Sequence, residues 1–262
     1  MRAIVLDAPG PATALQIREV PKPVLRAGWV LLRVEAFGLN RSELHTRLGL
    51  AGPDVTFPRV LGIEATGIIE AAPGTDLEVG SKAVAMMGGM GRSFDGGYAE
   101  YTLVPAGSVI PVETDLDWAR LGALPEVLQT AWGSLAVGVG LKMGDSLLVR
   151  GGTSSVGLMA AILAKRQGAT VVSTTRRPER ADELRALGID HVLVDDGHIA
   201  DAVREIFPGG VDGAIELVGS PTLQDTLRSC RPVARPASPE CCRTSGSSSS
   251  STRSSSSPEA CG

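Results

Sequence analysis

Aromatic residues make up only 3% of this 262-residue chain, so its core has to be assembled from Val, Leu, Ile and Ala. No uninterrupted apolar run is long enough for a transmembrane helix, and no membrane partner is expected. Neither charge dominates. Lys and Arg number 25 against 29 Asp and Glu, a formal net charge of −4, which gives no general attraction to nucleic acid or anionic lipid. An acid stands at Asp7, close behind Met1, too early for a secretory signal. A cytoplasmic, enzyme-like chain is the expectation. Cysteine is absent before residue 230, so that region has no disulfide framework. Cys230, Cys241, Cys242 and Cys261 follow no ordinary zinc spacing and have no His nearby, so no metal site is expected from them.

The length suits two domains, and the 32 glycines suit tight turns. Residues 1–118 read as β-rich, with apolar runs bounded by Gly, Pro and Asp. One short helix, Arg41–Leu48, is predicted behind Asn40 as its N-cap. From Asp117 the texture changes to alternating strands and helices, with residues 119–228 as the second domain and a helical stretch over roughly Leu116–Val137 leading into it. Strands are predicted at Ser146–Arg150, Thr170–Thr174, His191–Val194 and Val211–Val218, with helices between them. That alternation implies βαβ units and a parallel sheet, an α/β doubly wound arrangement. Residues 229–262 hold all four cysteines and 12 of the 22 serines, and Val233 is their one branched aliphatic residue. Such a composition buries too little apolar surface to offset its ordering entropy, so a disordered tail is expected.

The sharpest motif joins Ser146–Arg150 to the helix after it through Gly151, Gly152, Thr153, Ser154, Ser155, Val156 and Gly157. Gly152 permits the tight strand-to-helix turn, small Ser154 lets backbone approach a pyrophosphate, and Gly157 lets the helix pack on the strand. A helix N-terminus adds free N–H groups and a favourable dipole for phosphate. At the end of the next strand an NAD site places Asp or Glu against the ribose 2′-hydroxyl. Here Thr174, Thr175, Arg176 and Arg177 stand instead, with Arg180 a turn later. Hydroxyl and guanidinium groups suit a 2′-phosphate, so NADPH is the expected cofactor.

The segments GWVLLRVEAFGLNRSELHTRLG, PRVLGIEATGIIEAAP, GGYAEYTLVP, ALPEVLQTAWGSL and VRGGTSSVG occur in one order over residues 1 to about 228. In that order the chain resembles the medium-chain dehydrogenase/reductase superfamily, specifically its zinc-independent quinone oxidoreductase branch. The resemblance implies a GroES-like β-rich domain, a Rossmann domain, and hydride transfer in the cleft between them. Zinc-dependent relatives carry Cys, His and usually Cys where Asn40, Ile63 and Glu126 stand here, so a three-ligand catalytic zinc site is not expected. Asn40 would lie near the nicotinamide or the acceptor oxygen, and Arg41 would approach the cofactor phosphates. Ser42 and His45 resemble a hydroxyl–imidazole relay. Glu64 is expected among the catalytic residues with Asn40, Ser42 and His45, and Thr130 would line the nicotinamide face.

The implied reaction is NADPH-dependent reduction of a small electrophilic acceptor, a quinone or an α,β-unsaturated carbonyl. An enoyl-thioester reductase is one alternative, and a non-catalytic truncated product that at most binds cofactor is another. Members continue beyond the fourth parallel strand with further strands, whereas this chain turns to its Ser/Cys-rich segment near Pro232. The parallel sheet is therefore expected to be incomplete, with Val211–Val218 an unpaired apolar edge and the family's homodimer impaired.

Overall fold

A computed structural model describes residues 1–53 and 55–237, with backbone alone for 233–237. In order, the N-terminal part carries β1 (Arg2–Leu6), β2 (Leu15–Glu19), β3 (Trp29–Ala36), α1 (Arg41–Arg47), β4 (Arg59–Val60), β5 (Glu64–Ala71), β6 (Lys82–Met86), β7 (Tyr101–Pro105) and β8 (Val109–Pro111). Strands β7-β3-β5-β6-β8 form an antiparallel sheet, and β2-β1-β4 form a smaller one beside it. Val30 and Leu32, two residues apart on one face of β3, pack with Ala65, Ile69, Ala83, Ala85 and Val104. The cluster is almost wholly aliphatic, with Phe94 the one ring packed against it.

Next come α2 (Trp118–Gly122), α3 (Pro125–Gly133), β9 (Ser146–Arg150), α4 (Ser155–Arg166), β10 (Thr170–Thr175), α5 (Ala181–Ala186), β11 (His191–Val194), α6 (Ala200–Ile206), β12 (Val211–Glu216), α7 (Ser220–Ser229) and β13 (Cys230–Ala237). Their strands form one parallel sheet, ordered β11-β10-β9-β12-β13. Counted within this half the order is 3-2-1-4-5, the doubly wound arrangement that places ligands at the carboxyl ends of the strands. Both faces are covered. Leu147 and Val149 of β9 pack with Ala160, Ala161 and Ala164 of α4, while Leu148 faces Ile199 and Val203 at α6. Continuous apolar strands are what a sheet buried on both faces requires.

One expectation is refined and one corrected here. The helical stretch expected over Leu116–Val137 is there, but not as one unbroken helix: it comprises α2, α3 and a π-helical turn at Ser134–Val139. Pro125 occupies the first turn of α3, where it can start a helix but not continue one from α2. The expected edge at Val211–Val218 is absent, because β13 pairs in parallel with β12. Residues 230–237 thus form a fifth strand in place of the start of a tail, with a register irregularity between Val211 and Gly213. Pro232 and Pro236 lack N–H donors, and an edge strand is where a sheet tolerates that loss. Cys230 is buried, with its thiol directed at the Thr226 carbonyl. Cys241, Cys242, Cys261 and the disorder expected of residues 238–262 lie outside the described residues. Among the described residues no helix is long and apolar enough to cross a membrane.

Helix α2 rests on β3 and β5, and α3 touches α4, β5 and β6. Helix α3 therefore stands between the antiparallel and parallel sheets, and residues from both converge beside it.

Candidate active site

The loop from β9 to α4 has the shape a pyrophosphate needs. Gly151 has φ +84, a left-handed conformation that side-chain-bearing residues avoid. A Cβ on Gly152 would lie 1.7 Å from Ser173 Oγ, and one on Gly157 would lie 2.5 Å from the Gly151 carbonyl oxygen. Ser154 caps α4, its hydroxyl accepting from Gly157 N–H at 3.1 Å. Ser154 and Ser155 are exposed, Thr153 and Val156 are half-buried, and Gly152 and Gly157 lie beneath them. Open backbone N–H groups at the start of a 12-residue helix fit a dinucleotide's phosphates.

The end of β10 is arranged differently from the sequence expectation. Thr174 is fully buried; its hydroxyl accepts from Gly151 N–H at 3.0 Å and reaches Asp195 Oδ2 at 3.3 Å. Thr175 is also buried, and its hydroxyl is exchanged with the Arg177 backbone. Both hydroxyls are committed inside the protein, so they shape the turn from behind and do not face a ligand. Arg176 and Arg177 are exposed. Arg180 reaches the Thr153 carbonyl at 3.4 Å and pairs with Glu183.

On the other side of α3, Glu64 joins the two halves. It is 2% exposed and accepts from Asn40 Nδ2 at 2.7 Å and from Glu126 N–H at 2.9 Å. Gly38 leaves the space, since a Cβ there would lie 2.1 Å from Glu64 Oε1. Burial pushes the Glu64 carboxyl above the usual range, and the nearby Glu126 and Glu43 charges add to that, against the hydrogen bonds from Asn40 and Glu126. Glu43, unmarked by the sequence reading, accepts from Asn40 N–H and Ile63 N–H at 2.8 and 2.9 Å. Burial raises its carboxyl as well. Thr130, half-buried on α3, donates to Glu126 Oε1 at 2.7 Å.

The structure does not pair Ser42 with His45. The Ser42 hydroxyl accepts from Arg92 Nη2 at 2.7 Å, and half-buried His45 has no side-chain hydrogen bond among the described residues. Arg41 is exposed at the start of α1. Asn40, Glu64, Glu126 and Thr130 are thus brought into one connected cluster, while Ser42, His45 and Arg41 lie along α1 beside it. Among the described residues no group of three His, Cys, Asp or Glu is arranged to hold a metal ion.

Sequence reasoning also passed over Arg150, the last residue of β9. It is fully buried and forms a two-pronged pair with Asp195, both contacts at 2.8 Å. A charge closing an apolar strand directly before a glycine turn was the available signal.

Two family profiles match the chain in sequence order: the alcohol dehydrogenase GroES-like domain over residues 26–114 and the zinc-binding dehydrogenase domain over residues 155–237. A 2-haloacrylate reductase from Burkholderia sp is 33% identical over 213 residues, covering 78% of this chain and 62% of that protein. The chain therefore spans somewhat less than two thirds of that relative's length. The human quinone oxidoreductase is 27% identical over 87% of this chain and 69% of its own. The solved quinone oxidoreductase from Coxiella burnetii superposes with a TM-score of 0.78 at 26% identity, covering 89% of this chain and 74% of that one. The matched domains, their order, the glycine turn and the paired sheets agree, and the chain belongs to the medium-chain dehydrogenase/reductase superfamily, in its quinone oxidoreductase-like branch.

Proposed function

We propose that this chain is an NADPH-dependent oxidoreductase that delivers hydride to a quinone or an α,β-unsaturated carbonyl without zinc. One observation carries the reading. An open Gly/Ser turn lies next to a strand end where Arg176 and Arg177 are exposed and the strand's own last residues are Thr174 and Thr175, not a carboxylate. Two guanidinium groups there suit a 2′-phosphate through charge-assisted hydrogen bonds. Gly152, Thr153, Ser154, Ser155, Val156 and Gly157 would hold the pyrophosphate, and Arg41 would approach it from α1. Asn40 and Thr130 would border the nicotinamide and the acceptor.

Bound NADPH supplies the hydride from its nicotinamide ring. The protein's part is to bind and orient. The Asn40 amide is held by Glu64 and the Thr130 hydroxyl by Glu126, so neither group has to be reorganised when a ligand arrives. The zinc-free reading rests on donor chemistry. An amide already bonded to Glu64, the hydrocarbon Ile63 and a carboxylate already bonded to Thr130 do not make a three-ligand catalytic zinc site. Alcohol oxidation would then lack the group that lowers the hydroxyl pKa, whereas an electrophilic acceptor needs only polarisation. Similarity to a 2-haloacrylate reductase and to quinone oxidoreductases supports such an acceptor.

The test is a fluorescence titration of the purified chain with NADPH and NADH, followed by NADPH oxidation with a quinone, an enone and an enoyl thioester. Tighter NADPH binding with turnover of quinone or enone is expected. Turnover confined to the enoyl thioester replaces the acceptor class. Binding without turnover of any acceptor identifies a non-catalytic cofactor binder, and a preference for NADH overturns the 2′-phosphate assignment.

A further inference from the structure

We propose that Arg150 is a positioning residue that sets the affinity of the glycine turn for both nicotinamide dinucleotides alike; this rests on the cofactor reading above. Its guanidinium is 0% exposed and its three nitrogens all find acceptors. Nε and Nη2 take the two oxygens of Asp195, each at 2.8 Å. Nη1 takes Asp225 Oδ2 at 2.8 Å and the Thr222 carbonyl and Thr226 hydroxyl at 3.1 Å.

What matters is where those partners lead. Asp195 Oδ2 meets the Thr174 hydroxyl, and that hydroxyl accepts from Gly151 N–H, the first amide of the phosphate turn. Asp195 Oδ1 accepts from Gly197 N–H after β11. Asp225 accepts from Ile199 and Ala200 N–H at the start of α6. Thr226 donates to Glu216 at 2.5 Å, and Glu216 in turn accepts from Val218 and Gly219 N–H after β12. One buried cation is thereby linked to the carboxyl ends of β9, β10, β11 and β12. Those are the ends at which a doubly wound sheet binds its ligand.

Stability alone does not account for this arrangement. Leu147, Leu148 and Val149 bury the middle of β9 with hydrocarbon, and a buried ion cluster is seldom more stabilising than well-packed apolar residues of the same volume. A planar guanidinium with fixed donor directions does supply geometry. It holds Asp195 in place, Asp195 holds Thr174, and Thr174 orients the Gly151 amide. Arg150 touches neither the 2′-phosphate side at Arg176 and Arg177 nor solvent. Its effect therefore falls on the part that NADPH and NADH share.

The experiment is a titration of the full-length chain and its variants with NADPH and with NADH, at a temperature well below unfolding, with Tm measured in parallel. Arg150→Met is expected to weaken both cofactors by about tenfold or more, as loss of charge-assisted hydrogen bonds would, with the NADPH-to-NADH ratio unchanged. Thr174→Val removes the acceptor of Gly151 N–H without leaving a buried charge unpaired. It is expected to weaken both cofactors by a common, smaller factor. Folded variants that lose Tm but keep both Kd values within about twofold, less than one hydrogen bond is worth, would reduce Arg150 to a structural residue and overturn the inference. Where Arg150→Met does not fold, Thr174→Val decides by the same criterion. A native chain that binds neither cofactor overturns the cofactor reading and this inference together, whereas native binding with unchanged variants overturns the inference alone.

Discussion

Gly152→Ala should destabilise the chain through one identifiable collision, and Ser173→Ala should relieve it. Gly152 has no left-handed φ requirement, so the cost of a methyl group there is steric. The new Cβ would stand 1.7 Å from Ser173 Oγ, then 3.1 Å from both Ser173 Cβ and the Thr174 carbonyl oxygen. Overpacking of this kind costs about 1–3 kcal/mol, and an overlap so deep belongs at the upper end. Ser173 Oγ is itself buried without a hydrogen-bond partner. Removing it forfeits no bond, so Ser173→Ala alone should be neutral or stabilising by up to about 1 kcal/mol. In that background only the 3.1 Å contacts remain, and Gly152→Ala should cost about 1 kcal/mol or less. A coupling of about 1–2 kcal/mol between the two sites follows, and the entropy lost by the unfolded chain on Gly→Ala cancels in the cycle. Urea unfolding of the four proteins by circular dichroism measures it. The reasoning fails if Gly152→Ala costs the same in both backgrounds.

Three further outcomes are expected. Asn40→Asp sets a second carboxylate where Nδ2 now lies 2.7 Å from Glu64 Oε1; it should be less stable than Asn40→Ala at neutral pH. The difference should shrink on acidification, since two adjacent carboxyls can share a proton, and thermal melts over a pH series decide it. Asp190 accepts from Lys165 at 2.7 and 2.8 Å and from Val171 N–H at 2.7 Å. Burial pushes its carboxyl up, but these bonds outweigh it and hold it below its ordinary 3.8. Its stabilisation is therefore present above about pH 3.8 and is lost as pH falls through the lower folded value. Asp190→Asn should be less stable than the native chain at pH 7 by about 0.5–1 kcal/mol, and the gap should close in acid. Asp117→Ala removes the side chain that accepts from Arg120 N–H at 2.8 Å at the start of α2. Denaturant titration should register a loss of about 1 kcal/mol.

The local grammar of this chain is legible in its residues. The run Ser146–Arg150 into Gly151 and Gly152 specifies a strand, a left-handed turn and a helix start from φ preferences and side-chain size alone. Strand and helix periods then place most parallel elements within a residue or two. Asn40 likewise marks the start of α1, and Pro125 marks a boundary that a reading by hydrophobic period overlooked. Other features depend on partners distant in sequence. Cys230–Ala237 has the composition of a tail, yet β12 offers an unpaired ladder, and backbone pairing asks little of side chains at a sheet edge. Thr174 and Thr175 read as ligand-facing hydroxyls until Gly151, Asp195 and the Arg177 backbone claim them.

Glu64 and Arg150 make the same point about the site. Nothing within several residues of either announces its partners, which lie 24 and 62 positions away for Glu64 and 45 and 75 for Arg150. The sequence by itself determined the turn that can receive a phosphate, because that turn follows from short-range sterics. Only the tertiary structure decided which polar groups remain free to meet a ligand, because a buried hydrogen-bonding group must be satisfied by whatever the fold brings beside it.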